Sequence, residues 1–162
     1  MLKTWIPEEI PEKEELKKRI KEAGEKLYQQ QMKLKEHKLP VLGLFEGWGA
    51  SGKGTTIGRV IKYIDPRFFK VATMSKPTED ELRRPFLYRY FNQIPEAGKF
   101  TFLDSGWMGE TVGDYLRGEL KESEYTKRIE SIRRFERQLT DNGYLVMKFF
   151  LHISEKEQKK RI

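Results

Sequence analysis

Between Glu14 and about Glu36 the apolar residues Leu16, Ile20, Ala23 and Leu27 recur at intervals of four and three. Met32 and Leu34 continue the series less regularly among lysines and glutamines. That period predicts an amphipathic leading helix. Its stripe suits either a short seam between subunits, under four heptads long, or packing on the chain's own sheet. The short run Leu42 to Glu46 then predicts a buried strand, and Ile57, Val60, Ile61 and Ile64 return to helical spacing. Asp65-Pro66-Arg67 stops that helix, Phe68 to Met74 supplies a second strand, and Thr78 with Glu81 forms a capping box for another helix. Phe100 to Leu103 is a third strand ending at Asp104. Tyr125, Ile129, Ile132, Phe135 and Leu139 mark the apolar face of a long helix, which Asn142-Gly143 terminates before a fourth strand, Tyr144 to Leu151. Ser154 and Glu157 make a further capping box, opening a helix of about two turns.

Strands alternate with helices, which predicts an α/β chain: a three-layer α/β/α sandwich with a mainly parallel sheet and ligands at the carboxyl ends of the strands. Residues 1–40 read as an N-terminal extension with the amphipathic helix, and residues 41–162 as the α/β domain, whose last helix reads as cut short. No internal repeat or low-complexity segment is visible.

Length and composition narrow the function. At 162 residues the chain holds one domain with a real core, and 37% apolar with 12% aromatic residues suit a globular protein. A net charge of +7 points to an anionic partner without naming it. The chain has no cysteine, which excludes disulfides, thiolate catalysis and Cys-based metal sites and fits a reducing compartment. Met1 to Glu15 carries prolines and glutamates, and no apolar run reaches the length of a signal core or a membrane span, so the expected setting is cytoplasmic, with no membrane partner. His37, in a Lys-rich helix end, and His152, at a strand end, read as structural or solvated residues.

The chemistry concentrates behind the first strand, in Gly47-Trp48-Gly49-Ala50-Ser51-Gly52-Lys53-Gly54-Thr55. A glycine-rich loop between a strand and a helix can turn its N–H groups around an anion, Lys53 can reach outer phosphates, and the following helix offers its positive end. The competing reading is a plain strand-to-helix turn. The loop is irregular, because the Ser or Thr whose hydroxyl usually ligates Mg²⁺ directly follows the lysine, whereas here Gly54 fills that place and Thr55 comes one residue late. Asp104 stands where nucleoside-triphosphate enzymes place a Mg²⁺-holding carboxylate, and reads either as that or as a capping residue before Ser105-Gly106. From Lys76 to Lys99, Arg83, Arg84, Tyr88, Arg89 and Tyr90 could grip an anion chain or stack on bases. On a helix, Leu82, Phe86, Leu87 and Tyr90 would instead face the core and leave the arginines solvated.

The loop, the Asp65-Pro66-Arg67 exit, Lys76-Pro77-Thr78, Phe86-Leu87-Tyr88-Arg89 and Phe102-Leu103-Asp104-Ser105-Gly106-Trp107-Met108-Gly109 together resemble the polyphosphate kinase type 2 family, from about Leu27 onward. They are most similar to its tandem-domain polyphosphate:AMP phosphotransferases. That resemblance implies a P-loop kinase fold and Mg²⁺-dependent phosphoryl transfer between polyphosphate and AMP or ADP. It also implies catalytic roles for Lys53, Arg89 and Asp104, a phosphate cradle of Gly47, Gly49, Ser51, Gly52, Lys53, Gly54 and Thr55, and Mg²⁺ at Asp104 and Thr55. The family's catalytic aspartate position is Gly49 here, its arginine and tyrosine after Asp104 are replaced by Ser105 and Met108, and its arginine-bearing lid lies beyond Ile162. The chain therefore reads as a degenerate N-terminal domain with a structural or regulatory role, partnered by a second catalytic domain or by further copies of itself. Nucleic acid is not an expected partner. The alternatives are an active polyphosphate-dependent or nucleoside-monophosphate kinase, and a module binding RNA or another polyanion.

Overall fold

In the computed structural model, which describes residues 11–162, the elements run α1 (Lys13–Glu36), β1 (Val41–Gly47), α2 (Lys53–Val60), β2 (Phe69–Thr73), α3 (Glu79–Leu82), α4 (Tyr88–Phe91), β3 (Phe100–Asp104), α5 (Trp107–Leu116), α6 (Glu122–Asp141), β4 (Leu145–Leu151) and α7 (Glu155–Arg161). The first ten residues of the N-terminal extension lie outside the described residues. The four strands form one parallel sheet in the order β2-β3-β1-β4. Its two faces explain the sequence pattern. Leu42 and Leu44 point to one side, where Leu103, Tyr90, Trp107, Ile132, Phe135 and Leu139 enclose them, so α4, α5 and α6 cover that face. Val41 and Phe45 point to the other, against Ile57, Ile64, Phe100 and Phe102, with Leu27 and Leu34 of α1 packed over them. Burial on both faces is why β1 reads as a continuous apolar run instead of an alternating one. This is the expected three-layer α/β/α sandwich.

Several local expectations are corrected. The helix after the glycine-rich loop ends at Val60; Ile61–Tyr63 continue as a 3₁₀ turn and Ile64 is already extended. Pro66 sets this limit, because a proline disfavours helical backbone before it, and Asp65 caps the 3₁₀ turn Pro66–Phe68 by accepting from the Arg67 N–H at 3.0 Å. Leu82 is exposed instead of facing the core, since α3 is one turn long and has no second turn to seat it. Arg89 does the reverse and is buried. The Thr78–Glu81 capping box is complete, whereas at α7 only the Ser154 half forms, because the Glu157 carboxylate pairs with Arg161 at 2.7 Å. Helix α5 carries no expectation from the sequence. Gly109 and Gly113 interrupt it, and its buried face is only Trp107 and Thr111.

Helix α1 lies on its own domain through a contact that only glycine permits. A Cβ on Gly24 would sit 2.2 Å from the Tyr63 ring, and two turns further the buried Gln31 accepts from the Asp65 N–H at 3.1 Å. The helix is thus pinned to the 3₁₀ turn and seats only the later part of the predicted stripe, Leu27 and Leu34, while Leu16 and Ile20 remain exposed. Apolar surface also remains at the outer strand β4, where Leu145, Phe149 and Phe150 are exposed.

Two measurements check this packing. Gly24→Val should destabilise the fold by about 1–3 kcal/mol in urea unfolding, from overpacking against Tyr63, with part recovered in Gly24→Val/Tyr63→Ala. The second concerns Asp65, whose carboxyl is lowered from 3.8 to about 2, chiefly by the side-chain hydrogen bond from Arg67. A carboxyl whose folded value is depressed stabilises the fold above its unfolded value and loses that contribution as pH falls through the folded one. Thermal melts of Asp65→Ala should therefore lie below wild type at pH 6, with the gap shrinking between pH 3.8 and about 2.

Candidate functional site

The glycine-rich loop leaves the sheet at its carboxyl edge, because β1 is hydrogen-bonded on both sides and stops at Gly47. Gly47 has φ 143°, and a Cβ there would lie 2.3 Å from the Leu151 carbonyl oxygen, so the chain can pass β4 only without a side chain. Ala50 (φ 57°) and Gly52 (φ 94°) complete the turn, and the Ser51 N–H donates to the Trp48 carbonyl at 3.1 Å. Gly52 precedes Lys53, the first residue of α2, so the opening N–H groups of that helix have no partners within it and converge on the cleft in front of the loop.

That cleft, about 440 Å³ in volume, is lined by Ala50 through Thr55, with Thr73 from the end of β2 and Asp104 and Ser105 from the end of β3. The structure thus brings together Ser51, Gly52, Lys53, Gly54, Thr55 and Asp104. Lys53 folds back over the loop, its Nζ 3.3 Å from the carbonyl oxygens of both Gly47 and Trp48. These are long contacts that a phosphate could replace. Arg89 is not at this cleft. Its guanidinium is buried in a neighbouring cluster, donating from Nη2 to the Ser75 carbonyl and paired with Glu81 at 3.8 Å and Glu110 at 3.6 Å, while Glu110 also accepts from the Tyr90 hydroxyl. Burial pushes the Tyr90 hydroxyl upward and keeps it a donor. Arg89 thereby ties the end of β2 to α3 and α5.

The loop is strapped from outside by residues that the sequence did not mark. Gln158 Nε2 donates to the Gly49 carbonyl at 3.0 Å, and Arg161 Nη1 lies 3.4 Å from the carbonyls of Ala50 and Ser51. Trp48 Nε1 donates to His152 Nδ1 at 2.9 Å, and the Trp48 ring meets Phe150 edge-on. His152 is therefore structural, as expected. The charges of α7 gave no advance sign, because they follow an ordinary i, i+4 surface pattern.

The resemblance implies Mg²⁺ at Asp104 and Thr55, both of which line the cleft. Among the described residues no group of three or more acidic or histidine side chains is placed to hold a metal ion. Asp104 Oδ2 lies 3.4 Å from where a Cβ of Gly54 would be, so the carboxylate faces the position from which a side-chain hydroxyl would ordinarily come. One carboxylate beside a phosphate cradle fits Mg²⁺ only when phosphate oxygens and water complete its shell. Next to this cleft, beyond Gly47 and Ser105, lies a second cavity of about 280 Å³, whose lining includes Glu46, Lys76, Tyr90, Glu110, Asp114 and Arg117. Glu46 is raised above the ordinary carboxylate value, mainly by burial, against hydrogen bonds from the Gly109 and Met108 backbone that lower it. A charged residue ending an otherwise apolar strand was the available signal for it.

Known proteins share this fold. The family model described as polyphosphate kinase 2 matches residues 10–162. Polyphosphate:AMP phosphotransferase of Pseudomonas syringae pv. tomato is 40% identical over 129 residues, covering 80% of this chain and 26% of that protein. The AMP/ADP-polyphosphate phosphotransferase of Meiothermus ruber is 33% identical over 147 residues, covering 91% of this chain and 53% of its own length. The crystal structure of a polyphosphate kinase 2 from Pseudomonas aeruginosa superposes with a TM-score of 0.90 at 30% identity, covering 99% of this chain and 35% of that one. A polyphosphate kinase 2 from Arthrobacter aurescens gives a TM-score of 0.94 at 27% identity, covering 99% and 60%. The chain spans between about a quarter and three fifths of the length of these proteins.

If the loop binds phosphate through Lys53 and its N–H groups, Lys53→Ala should weaken the binding of inorganic phosphate or tripolyphosphate by about tenfold or more in calorimetry. The far-ultraviolet circular dichroism should not change, because the Nζ contacts are made to the loop surface alone.

Proposed function

Because the chain belongs to the polyphosphate kinase 2 family, we propose that it is a catalytically weakened copy of that family's phosphotransferase domain. In this reading it keeps a phosphate-binding loop for polyphosphate and serves a structural or regulatory role beside a second, active domain or further copies. One observation carries the reading: among the described residues Asp104 is the only carboxylate lining the loop cleft, while position 49 is a glycine whose carbonyl is engaged by Gln158. Transfer between polyphosphate and AMP or ADP depends on metal and positive charge held against the moving phosphoryl group. Asp104 would hold Mg²⁺, which when bound would supply positive charge to neutralise the phosphates.

The residues of this chain divide accordingly. The opening N–H groups of α2 and Lys53 bind and orient phosphate oxygens. Asp104 holds the cation or a water on it. Arg89, neutralised by Glu81 and Glu110, gives the cleft no charge, and Ser105 supplies none where the related enzymes place an arginine. In the adjoining cavity Lys76 and Arg117 stand beside Glu46, Glu110 and Asp114, and Arg117 is paired with Asp114, so its walls offer a nucleotide's phosphates little free positive charge. Exposed Leu145 and Phe149, on one face of β4, are the surface on which a second domain or copy would sit. A cytoplasmic setting goes with this reading.

Each well-placed electrostatic group is commonly worth about a hundredfold in rate. The purified chain with Mg²⁺, polyphosphate and AMP or ADP should therefore show no turnover above background in a coupled assay, and Gly49→Asp alone should not restore it. Robust turnover by the unmodified chain, lost in Asp104→Ala, would replace this reading with that of an active kinase.

A further inference from the structure

Helix α5 begins without a cap of its own. Its N-cap residue is Gly106, in extended backbone, and no side chain there accepts a hydrogen bond from the first turn. Orphan N–H groups at a partly buried helix start need an acceptor. The acceptor comes from another element: Glu46, the residue before Gly47 on β1, receives the Met108 N–H on Oε1 at 3.1 Å, and its carboxylate also takes the Gly109 N–H. The fit is close. A Cβ on Gly106 would lie 2.5 Å from Glu46 Oε1, so the missing side chain at the N-cap is what admits the carboxylate. The turn is held at a second point, where the Ser105 N–H donates to the Phe45 carbonyl at 3.1 Å, and Ser105 itself has φ 74°. Such a conformation is costly for a non-glycine residue and persists only where its surroundings hold it.

We propose that Glu46 is a positioning residue: by capping α5 from β1 it fixes the Asp104–Ser105–Gly106 turn so that Asp104 faces the phosphate loop across Gly54. The two ends of the cleft then share one origin, since β1 runs into the loop through Gly47 and grips the opposing turn through Glu46. This inference rests on the proposed role of Asp104 in Mg²⁺-assisted phosphate binding, and it gives that role a mechanical support outside the cleft. The carboxylate is suited to this because the helix start offers it both hydrogen bonds and a positive dipole end, which offset the cost of its burial.

The test uses Glu46→Ala and Glu46→Gln with two independent readouts. Hydrogen exchange at the Ser105, Met108 and Gly109 amides should quicken by about tenfold or more in Glu46→Ala and stay near wild type in Glu46→Gln, whose side-chain carbonyl still accepts. Tripolyphosphate binding by calorimetry should lose most of its Mg²⁺-dependent gain in Glu46→Ala, while Mg²⁺-free binding stays within about twofold because Lys53 and the loop N–H groups are untouched. Unchanged exchange in Glu46→Ala overturns the positioning role, as does exchange in Glu46→Gln as fast as in Glu46→Ala. Wild-type protein that binds no tripolyphosphate counts instead against the proposed function and leaves the exchange comparison decisive for Glu46. Should Glu46→Ala not fold, the same exchange measurement on Glu46→Gln and on Gly106→Ala, which pushes the carboxylate off the helix start, decides the matter: Gly106→Ala must expose Met108 and Gly109.

Discussion

The central strand must be paired on both sides before anything else in this molecule has a shape. Val41 to Phe45 exchange ladder hydrogen bonds with β3 on one side and β4 on the other, and the strand is nearly inaccessible to solvent along that run. Buried backbone groups have no water to fall back on, so the register is obligatory. With it fixed, Gly47, Thr73 and Asp104 all reach the same edge of the sheet, and loop and carboxylate face each other although 57 positions separate Gly47 from Asp104 in the chain. The cleft is a by-product of strand register, to which the loop residues add only their local turns.

The sequence disclosed the parts whose cause is local or periodic. Buried strands appear as apolar runs, α6 as a stripe from Tyr125 to Leu139, and the Thr78 cap as a spacing of three. The loop was legible because its glycines answer to backbone conformation, which depends on the residue itself. What stayed hidden depends on distant partners. The burial of Arg89 requires two carboxylates brought from α3 and α5, and nothing near residue 89 marks it as enclosed. The straps from Gln158 and Arg161 cross 109 to 111 positions and come from a helix with an unremarkable surface pattern. Helix α5 was missed because half of its first turn is stabilised by a glutamate 62 positions away. Leu82 differs for the opposite reason, because α3 is too short to have a buried face.

The charge distribution sorts the alternatives. The chain carries 32 basic and 25 acidic residues, yet several of the cations sit in exposed i, i+4 pairs such as Lys159 with Glu155 and Arg134 with Glu130. Exposed pairs of this kind are worth little and direct no ligand. The basic and aromatic segment that suggested base stacking is largely consumed internally: Tyr90 is buried against Trp107, and Arg84 lies over Tyr88 while paired with Asp80. Lys53 differs in being held by two long contacts to carbonyls and by no carboxylate.

The close pass of Gly47 by the Leu151 carbonyl carries a lesson about descent. That glycine is demanded by the close pairing of β1 with the end of β4, whether or not a phosphate is ever bound. Gly49 stands under no such demand: a Cβ there would meet only the tip of Gln158, at an ordinary 3.5 Å. In a duplicated gene relieved of catalysis, the first kind of position would stay frozen by folding while the second drifted. The surviving glycines of such a loop are therefore a fossil of architecture, and the record of chemistry is kept by the neighbours that folding leaves free to change.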